Sequence, residues 1–266
     1  MGRRMRIATW NINGVRRRLG PLARLVAHAR PDVISLQETK VEDDLFPRAA
    51  VEELGYRFNL IHGMKSYNGV AILSRVPIED TGTRAWCGRE DRRYAFATLP
   101  SGIEVHNCYV PSGGDMPDAE ANDKFAHKLR FLKELAVWWS AESKRRRAVL
   151  VGDLNVAPLE TDVWSHKQLL AVVSHTPVEV ELLDRLMATR RWVDAVRQFV
   201  PPEQHLYTWW SYRNRDWAKS DRGRRLDHIW VTPALRASLA GATVLREARG
   251  WKDASDHVPV LVDLKP

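Results

Sequence analysis

The stretch that decides the fold is Ala148-Val149-Leu150-Val151-Gly152-Asp153-Leu154-Asn155. Its short apolar run is typical of a buried strand, and the run ends at Gly152-Asp153, so the strand brings a carboxylate to the end of a sheet. Asp153 and Asn155 are two positions apart, and in an extended chain both side chains lie on one side. Taken alone, this pattern favours an Asx turn after a strand. A functional role therefore requires partners from elsewhere in the chain.

Composition indicates a soluble globular protein with a basic surface. Of the 266 residues 44% are hydrophobic and 28% are charged, which suits a sizeable core. Lys and Arg outnumber Asp and Glu by 41 to 33, giving a net charge of +8. A basic balance favours polyanions, nucleic acid first, although solubility alone also accounts for it.

The same survey excludes several classes of protein. Apolar runs stay below the ~18 residues that span a bilayer. No apolar stretch follows the basic N-terminus as it does in a signal peptide. Cys87 and Cys108 are too few for a disulfide scaffold or a zinc ribbon. We expect a cytoplasmic protein without membrane contact.

Polar side chains also follow predicted strands in the first half of the chain. The strand 6–10 ends in Asn11-Ile12-Asn13-Gly14, which repeats the two-residue spacing of Asp153 and Asn155. After a helix over 19–30, the strand 32–36 releases Gln37-Glu38-Thr39. A later predicted strand, 103–110, ends in Tyr109-Val110-Pro111.

The remaining elements alternate between strands and helices, with hairpins between them. Further strands are predicted over 57–61, 69–74, 94–99, 207–213, 226–232, 242–246 and 257–264. Further helices are predicted over 45–54, 118–142 and 178–189, the last continuing through 192–199 after a break. This order favours two sheets with helices outside them over one doubly wound parallel sheet. No repeat or linker divides the chain, so we predict one domain over 1–266.

The polar candidates converge on strand ends. They are Asn11, Glu38, Tyr109, Asp153, Asn155, Asp227, Asp256 and His257. Carboxylate and amide oxygens suit a hard cation, a histidine held by a carboxylate suits proton transfer near neutral pH, and Asn and Tyr donors suit a phosphorane. Each residue has a structural alternative, but together they are the set that phosphodiester hydrolysis needs.

The two acids near the end of the chain are not equivalent. Asp256 and His257 are adjacent, so on a strand their side chains point to opposite faces. Asp227 lies on another strand and is the better hydrogen-bond partner for His257.

Six motifs, in this order, resemble those of the exonuclease III family, the class II abasic-site endonucleases of the endonuclease/exonuclease/phosphatase superfamily. They are Thr9-Trp10-Asn11-Ile12-Asn13-Gly14, Leu36-Gln37-Glu38-Thr39-Lys40, Tyr109-Val110-Pro111, Gly152-Asp153-Leu154-Asn155, Arg225-Leu226-Asp227 and Ser255-Asp256-His257. The resemblance covers essentially the whole chain. It implies an α+β, DNase I-like four-layer sandwich of two mixed sheets packed face to face and flanked by helices.

The resemblance also implies an activity. This is Mg²⁺-dependent hydrolysis, with Mn²⁺ as a substitute, of phosphodiesters 5′ to abasic sites in double-stranded DNA. Removal of 3′ blocking groups and 3′→5′ exonuclease activity accompany it. The implied partner is duplex DNA with abasic sites or blocked 3′ ends, bound by a monomer.

The residues carried over from the family fall into three sets. The metal set comprises Asn11, Glu38, Asp153, Asn155, Asp256 and His257, with Glu38 as the principal ligand. The catalytic set comprises Tyr109, Asp153, Asn155, Asp227 and His257, and the base is either Asp153 or His257. The DNA-binding set comprises Asn13, Arg92, Arg93, Lys124, Trp209 and Trp210, in which the two tryptophans line a pocket for a flipped abasic sugar.

Three alternatives remain open. One is a 3′-end exonuclease with weak abasic-site activity, because the loop 112–122 departs from the family pattern. Another is a phosphatase of the same superfamily acting on a non-DNA phosphoester. The third is a nucleic-acid-binding module that kept the fold without the chemistry, and salt-dependent DNA binding without turnover would identify it.

Overall fold

A computed structural model describes residues 4–142 and 147–265 of the chain. Its strands, in chain order, are β1 Met5–Asn11, β2 Val33–Gln37, β3 Phe58–His62, β4 Val70–Ser74, β5 Glu79–Thr83, β6 Tyr94–Thr98, β7 Ile103–Cys108, β8 Arg147–Asp153, β9 Val193–Asp194, β10 Trp209–Trp210, β11 Gly223–Arg224, β12 Asp227–Val231, β13 Leu239–Val244 and β14 Val260–Leu264. Its α-helices are α1 Leu19–Ala29, α2 Arg48–Glu53, α3 Asp123–Ala141, α4 His166–Leu169, α5 Pro177–Arg190 and α6 Trp217–Ser220.

Twelve of the strands form two mixed sheets of six. The first has the order β13-β14-β1-β2-β4-β3, and the second has the order β5-β6-β7-β8-β12-β9. Each sheet has a parallel pair at its centre, β1 with β2 and β7 with β8, and antiparallel neighbours around it. The carboxyl ends of the parallel strands and the amino ends of their antiparallel partners therefore meet at one edge of each sheet.

The sheets pack face to face, with helices on their outer faces. Apolar side chains of both sheets, such as Ile7 and Val149, share the inner core. The helix α1 packs on the outside of the first sheet through Leu22 and Leu25. The helices α3 and α5 cover the second sheet with residues that include Leu132. The predicted four-layer sandwich of two mixed sheets is thus confirmed.

A fully buried amide pair joins the two sheets below the polar edge. The Gln37 side chain donates to Asn107 Oδ1 at 2.7 Å and to Thr9 Oγ1 at 3.0 Å. Asn107 in turn donates to the backbone oxygens of Leu36 and Ala71 on the first sheet. Because unpaired polar groups are costly in a core, these bonds fix the register of one sheet against the other.

Local differences from the sequence prediction have physical causes. The strand β5 was not predicted, because its sequence Glu-Asp-Thr-Gly-Thr is polar and mostly exposed and lacks an apolar alternation. The predicted helical continuation over 192–199 is wrong. Residue Arg191 ends α5 in a left-handed conformation, and the short strand β9 then pairs with β12. Among the described residues, no helix is both long and apolar enough to cross a membrane.

Candidate active site

The strand ends place the predicted polar residues at one edge of the sandwich. Asn11 ends β1, Asp153 ends β8, and Asp227 begins β12 directly opposite Asp153. Glu38 and Tyr109 come directly after β2 and β7. Both sheets therefore contribute to a single cluster of side chains.

Gly152 explains why a glycine precedes the central aspartate. Its backbone has φ +141°, and a Cβ at this position would lie 1.9 Å from the carbonyl oxygen of Cys108. A side chain here would push β8 away from β7. Glycine is therefore required at position 152, because it lets β8 approach β7 closely just before Asp153.

Asn11 connects the carboxylates of the two sheets. Its Nδ2 donates to Glu38 Oε1 and to Asp153 Oδ2, at 2.9 Å each. The hydroxyl of Tyr109 donates to the same Glu38 oxygen at 2.8 Å. The other oxygen of Glu38 lies 2.7 Å from Lys40 Nζ. One amide thus holds two acids side by side.

The two Asn and Asp motifs form Asx turns and do not continue as extended chain. The backbone N–H of Asn155 donates to Asp153 Oδ1 at 3.0 Å, and the backbone N–H of Asn13 donates to Asn11 Oδ1 at 3.2 Å. Asn155 and Asn13 have φ of 55° and 50°, and Glu38 has φ of 52°. The Asx turn that the sequence pattern favours is therefore present at both motifs. Left-handed non-glycine residues cost free energy and cluster at functional sites.

His257 is the centre of a buried charge relay. Its Nδ1 lies 2.8 Å from Asp227 Oδ2, and its Nε2 lies 3.7 Å from Asp153 Oδ2. The hydroxyl of Thr208 donates to the same Asp227 oxygen at 2.6 Å. The hydrogen bond predicted between Asp227 and His257 is present. Asp256 instead accepts from Asn13 and from Trp209 Nε1, at 3.0 Å each.

Burial and neighbouring charges shift the pKa values of this relay. Burial opposes the charged form of His257, but the carboxylates of Asp227 and Asp153 outweigh it and raise its pKa to about 10. Burial raises the pKa of Asp153 to about 7, against the favourable charge of His257. At neutral pH the imidazole is therefore protonated, and Asp153 is poised near its titration point.

The pKa values of Glu38 and Tyr109 are shifted in opposite directions. Burial raises the pKa of Glu38, but Lys40 and the Asn11 amide outweigh it, and the net pKa is lowered. Burial, with the charges of Glu38 and Asp153, raises the pKa of Tyr109 well above its ordinary value. Glu38 is thus an anion at neutral pH, and Tyr109 keeps its proton.

A cavity of about 800 Å³ opens above this cluster. Glu38, Tyr109, Asp153, Asn155, Asp256 and His257 line one side of it. Trp164, Val172, Trp209, Leu226 and three arginines, Arg213, Arg222 and Arg224, line other parts. The three arginines were not predicted as site residues, because no motif in the basic and aromatic segment that contains them marks them.

The two adjacent tryptophans have different environments. Trp209 is half-buried and lines the cavity. Trp210 is 1% exposed, packs in the core of the first sheet and donates through Nε1 to Asp221. The prediction that both line a pocket is therefore wrong for Trp210, since neighbouring residues of β10 point to opposite faces.

The other residues predicted to contact DNA are not among those that line the cavity. Arg93 places its guanidinium 4.7 Å from the Tyr109 ring centre and binds Asp91. Arg92 lies 3.0 Å from His62 Nδ1. Lys124 is exposed at the start of α3. Asn13 lies closest to the acids, between Lys40 and Asp256.

The donor chemistry of the cluster fits a divalent cation. Within the described residues, Asp153, Asp227 and His257 offer ligand atoms that all lie within 4.8 Å of one another, close enough to hold a metal ion. His257 Nδ1 is already bound to Asp227, but Asp227 Oδ1 is buried without a hydrogen-bond partner in the described part of the chain. Glu38 adds a carboxylate beside Asp153, and oxygen ligands suit Mg²⁺. Asn11 faces both acids with its Nδ2 and so holds the carboxylates in place.

Comparisons with known proteins agree with this geometry. The sequence profile of the endonuclease/exonuclease/phosphatase family matches residues 8–257. Exodeoxyribonuclease III of Haemophilus influenzae is 30% identical over 274 residues, covering 98% of this chain and 100% of the relative. Two solved structures superpose with a TM-score of 0.90, each covering 98% of this chain and 100% of its own. They are an AP endonuclease from Archaeoglobus fulgidus, 31% identical, and the 3′ phosphatase NExo from Neisseria bound to a product DNA hairpin, 33% identical.

Proposed function

We propose that this chain, which belongs to the endonuclease/exonuclease/phosphatase family and within it to the exonuclease III group, is a divalent-metal-dependent DNA repair nuclease. It hydrolyses phosphodiesters 5′ to abasic sites in duplex DNA, removes blocking groups from 3′ ends and degrades 3′ ends as an exonuclease. Residues 1–266 act as one catalytic unit, because both sheets supply residues to the same site.

The observation that carries the proposal is the relay of Asp227, His257 and Asp153 at the floor of a cavity with an aromatic and cationic wall. Hydrolysis adds water to phosphorus and breaks one P–O ester bond. The relay supplies a proton acceptor and a cation beside the place where that phosphate binds.

Asp153 is the base in this account. With a pKa of about 7 its carboxylate takes the proton of the attacking water near neutral pH. His257, with a pKa of about 10, is already protonated and so is a poor base. Its imidazolium instead binds a phosphate oxygen. Asp227 acts through His257 and is a positioning residue.

Asn155 and Tyr109 complete the phosphate site. One N–H of the Asn155 amide donates to the Val110 carbonyl at 2.9 Å, which leaves its second N–H for a phosphate oxygen. The Tyr109 hydroxyl keeps its proton, which it donates to Glu38 in the free protein. When DNA binds, the same O–H turns to the phosphate or to the departing oxygen.

Glu38 and Asp256 are the carboxylates that would hold Mg²⁺, with Asn11 positioning Glu38 through its Nδ2. Asp153 and the His257 imidazolium keep their roles in proton transfer and phosphate binding. A bound divalent cation supplies charge neutralisation at the phosphate. The basic balance of the chain, +8, and the cavity arginines favour a polyanionic substrate over a small phosphoester.

The test uses a duplex with one synthetic abasic site and a 5′ label, incubated with Mg²⁺ and, separately, with EDTA. We expect a single Mg²⁺-dependent cut 5′ to the abasic site. A series of products shortened from the 3′ end, without that cut, would point to the 3′-end exonuclease alternative. No cleavage by the folded protein would favour a non-DNA phosphoester or a binding role.

A further inference from the structure

Three side chains lie in a row across the strands at the cavity. Trp209 pairs in antiparallel register with His257 on one side and with Arg224 on the other. Directly opposed residues of antiparallel strands share a face of the sheet. The indole of Trp209 therefore separates the imidazole of His257 from the guanidinium of Arg224.

Arg224 is a cation held in place by neutral groups. Its Nη1 donates to the Val173 carbonyl and to Ser174 Oγ, at 2.9 Å each. Its guanidinium carbon lies 5.4 Å from the Trp209 ring centre. The carboxylate that acts on it over a distance, Glu179, is already paired with the fully buried Lys128. Within residues 4–142 and 147–265, therefore, no carboxylate forms an ion pair with the Arg224 guanidinium.

Part of the hydrogen-bonding capacity of Arg224 is also unused. Its Nε is buried and has no hydrogen-bond partner in the described residues. Burial lowers the pKa of the guanidinium, but arginine remains charged. Trp164, Val172 and Leu226 line the cavity around it. An apolar wall reduces solvent screening, so an anion entering here pairs with Arg224 more strongly than it would in water.

We propose that Arg224 binds an anionic group on the DNA fragment that lies 3′ of the scissile phosphate, and so sets which 3′ fragments the cavity prefers. Two strand spacings, about 10 Å, separate the backbones of His257 and Arg224. The anion therefore lies beyond the scissile phosphate, on the far side of Trp209. Two sources carry this chemistry: the next phosphate of an intact DNA strand and the carboxylate of an oxidised 3′ end. This inference rests on the proposed nuclease function.

The test compares three duplexes that differ only in the fragment 3′ of the scissile phosphate. One ends in a 3′-phosphoglycolate, which carries a carboxylate. The second has an internal tetrahydrofuran abasic site, which is followed by another phosphate. The third ends in a 3′-terminal tetrahydrofuran nucleotide, which carries no further anion. Steady-state kcat and KM are measured on each for the wild type, Arg224→Met and Arg224→Lys, with melting curves to compare folding.

We expect Arg224→Met to lower kcat/KM by roughly tenfold or more on the phosphoglycolate or the internal abasic duplex, relative to its effect on the third duplex. The loss should appear mainly in KM, and Arg224→Lys should restore part of it. A loss confined to the first duplex identifies the carboxylate, and one confined to the second identifies the strand phosphate. The exposed, Glu181-paired Arg185 gives the matched control Arg185→Met, which should change no ratio.

Equal losses on all three duplexes, or no loss on any, would overturn the role of Arg224. That result is distinct from failure of the proposed function, because in that case the wild type would cleave none of the three. If Arg224→Met melts early, Arg224→Gln takes its place, since glutamine keeps a donor for the Val173 carbonyl but carries no charge. It should show the same selective loss, and equal losses or no loss would again overturn the role.

Discussion

The imidazole of His257 is bound by a hydrogen bond of 2.8 Å to Asp227, a residue of the second sheet, although His257 itself leads into a strand of the first. Asp227 begins β12 in the second sheet, and His257 precedes β14 in the first. The bond is buried, and its acceptor oxygen also receives the Thr208 hydroxyl. The relay therefore depends on the alignment of the two sheets and not on either strand alone.

Removing the charge of Asp227 should change the pH dependence of activity. In Asp227→Asn the carboxylate that raises the pKa of His257 is gone, so the imidazolium loses its proton at lower pH than in the wild type. We expect kcat to fall by about 10²–10⁴-fold and to fall further as the pH rises from 7 to 9. Profiles of kcat against pH measure this. Asp253→Asn, at an exposed acid paired with Arg17, is the control. A profile parallel to that of the wild type would mean that Asp227 has only a structural role.

Substitution of the two adjacent tryptophans should affect different properties, substrate recognition for Trp209 and stability for Trp210. Trp209→Ala opens the cavity wall while leaving the core intact, so kcat/KM on abasic duplex should fall with little change in Tm. Trp210→Ala removes a fully buried side chain and should destabilise the protein by about 3–5 kcal/mol. Thermal melts and kinetics on both variants check this. The same loss of kcat/KM on abasic and intact duplex in Trp209→Ala would argue against a recognition role.

Glu38 should govern the requirement for metal. Glu38→Gln keeps the shape of the side chain but removes one negative charge beside Asn11 and Lys40. We expect the Mg²⁺ concentration for half-maximal activity to rise by about tenfold or more, with an unchanged melting temperature in EDTA. Glu181→Gln, at an exposed acid, serves for comparison. An unaltered Mg²⁺ titration would remove Glu38 from the ligand set.

His228 should make the fold sensitive to acid. It is fully buried, with Nε2 2.8 Å from the Val156 carbonyl oxygen, and burial lowers its pKa to about 3. The unfolded chain binds a proton at this residue below pH 6.5, whereas the folded chain does not until about pH 3. Stability from this group is therefore complete above pH 6.5 and declines as the pH falls, by about 1.4 kcal/mol per pH unit.

The matched measurement for His228 is the free energy of unfolding of the wild type and His228→Gln from pH 7.5 to pH 4.5. Glutamine keeps a donor for the Val156 carbonyl but does not titrate. The two curves should converge as the pH falls. If the two curves of unfolding free energy against pH stay parallel, His228 does not contribute to the loss of stability in acid.

The sequence predicts the framework well where the local pattern and the packing agree. The apolar run before Asp153 forms β8, and the polar ends of β1 and β2 bring Asn11 and Glu38 to the same edge. Strand β5 shows the opposite case, because its residues take strand conformation from pairing with β6 and not from their own polar sequence.

The far wall of the cavity could not be predicted from local pattern. Arg222 and Arg224 belong to a basic, aromatic segment without clear periodicity, and Arg213 ends the predicted strand 207–213 without a motif that marks it as a site residue. Their approach to Trp164 and Val172 depends on loops that follow β8 and on the β10–β11 ribbon. Similarly, Trp209 and Trp210 look equivalent in sequence, and only the pairing of Trp209 with His257 shows which of them faces the cavity.

The most direct test of the account is Asp153→Asn on a 5′-labelled duplex with one abasic site, with binding and cleavage measured side by side. The variant keeps an amide-sized side chain between Asn11 and His257 but cannot accept the proton of water at neutral pH. We predict DNA binding within about threefold of the wild type and Mg²⁺-dependent cleavage reduced by about 10³-fold or more. Cleavage at the wild-type rate would contradict the assignment of Asp153 as the base.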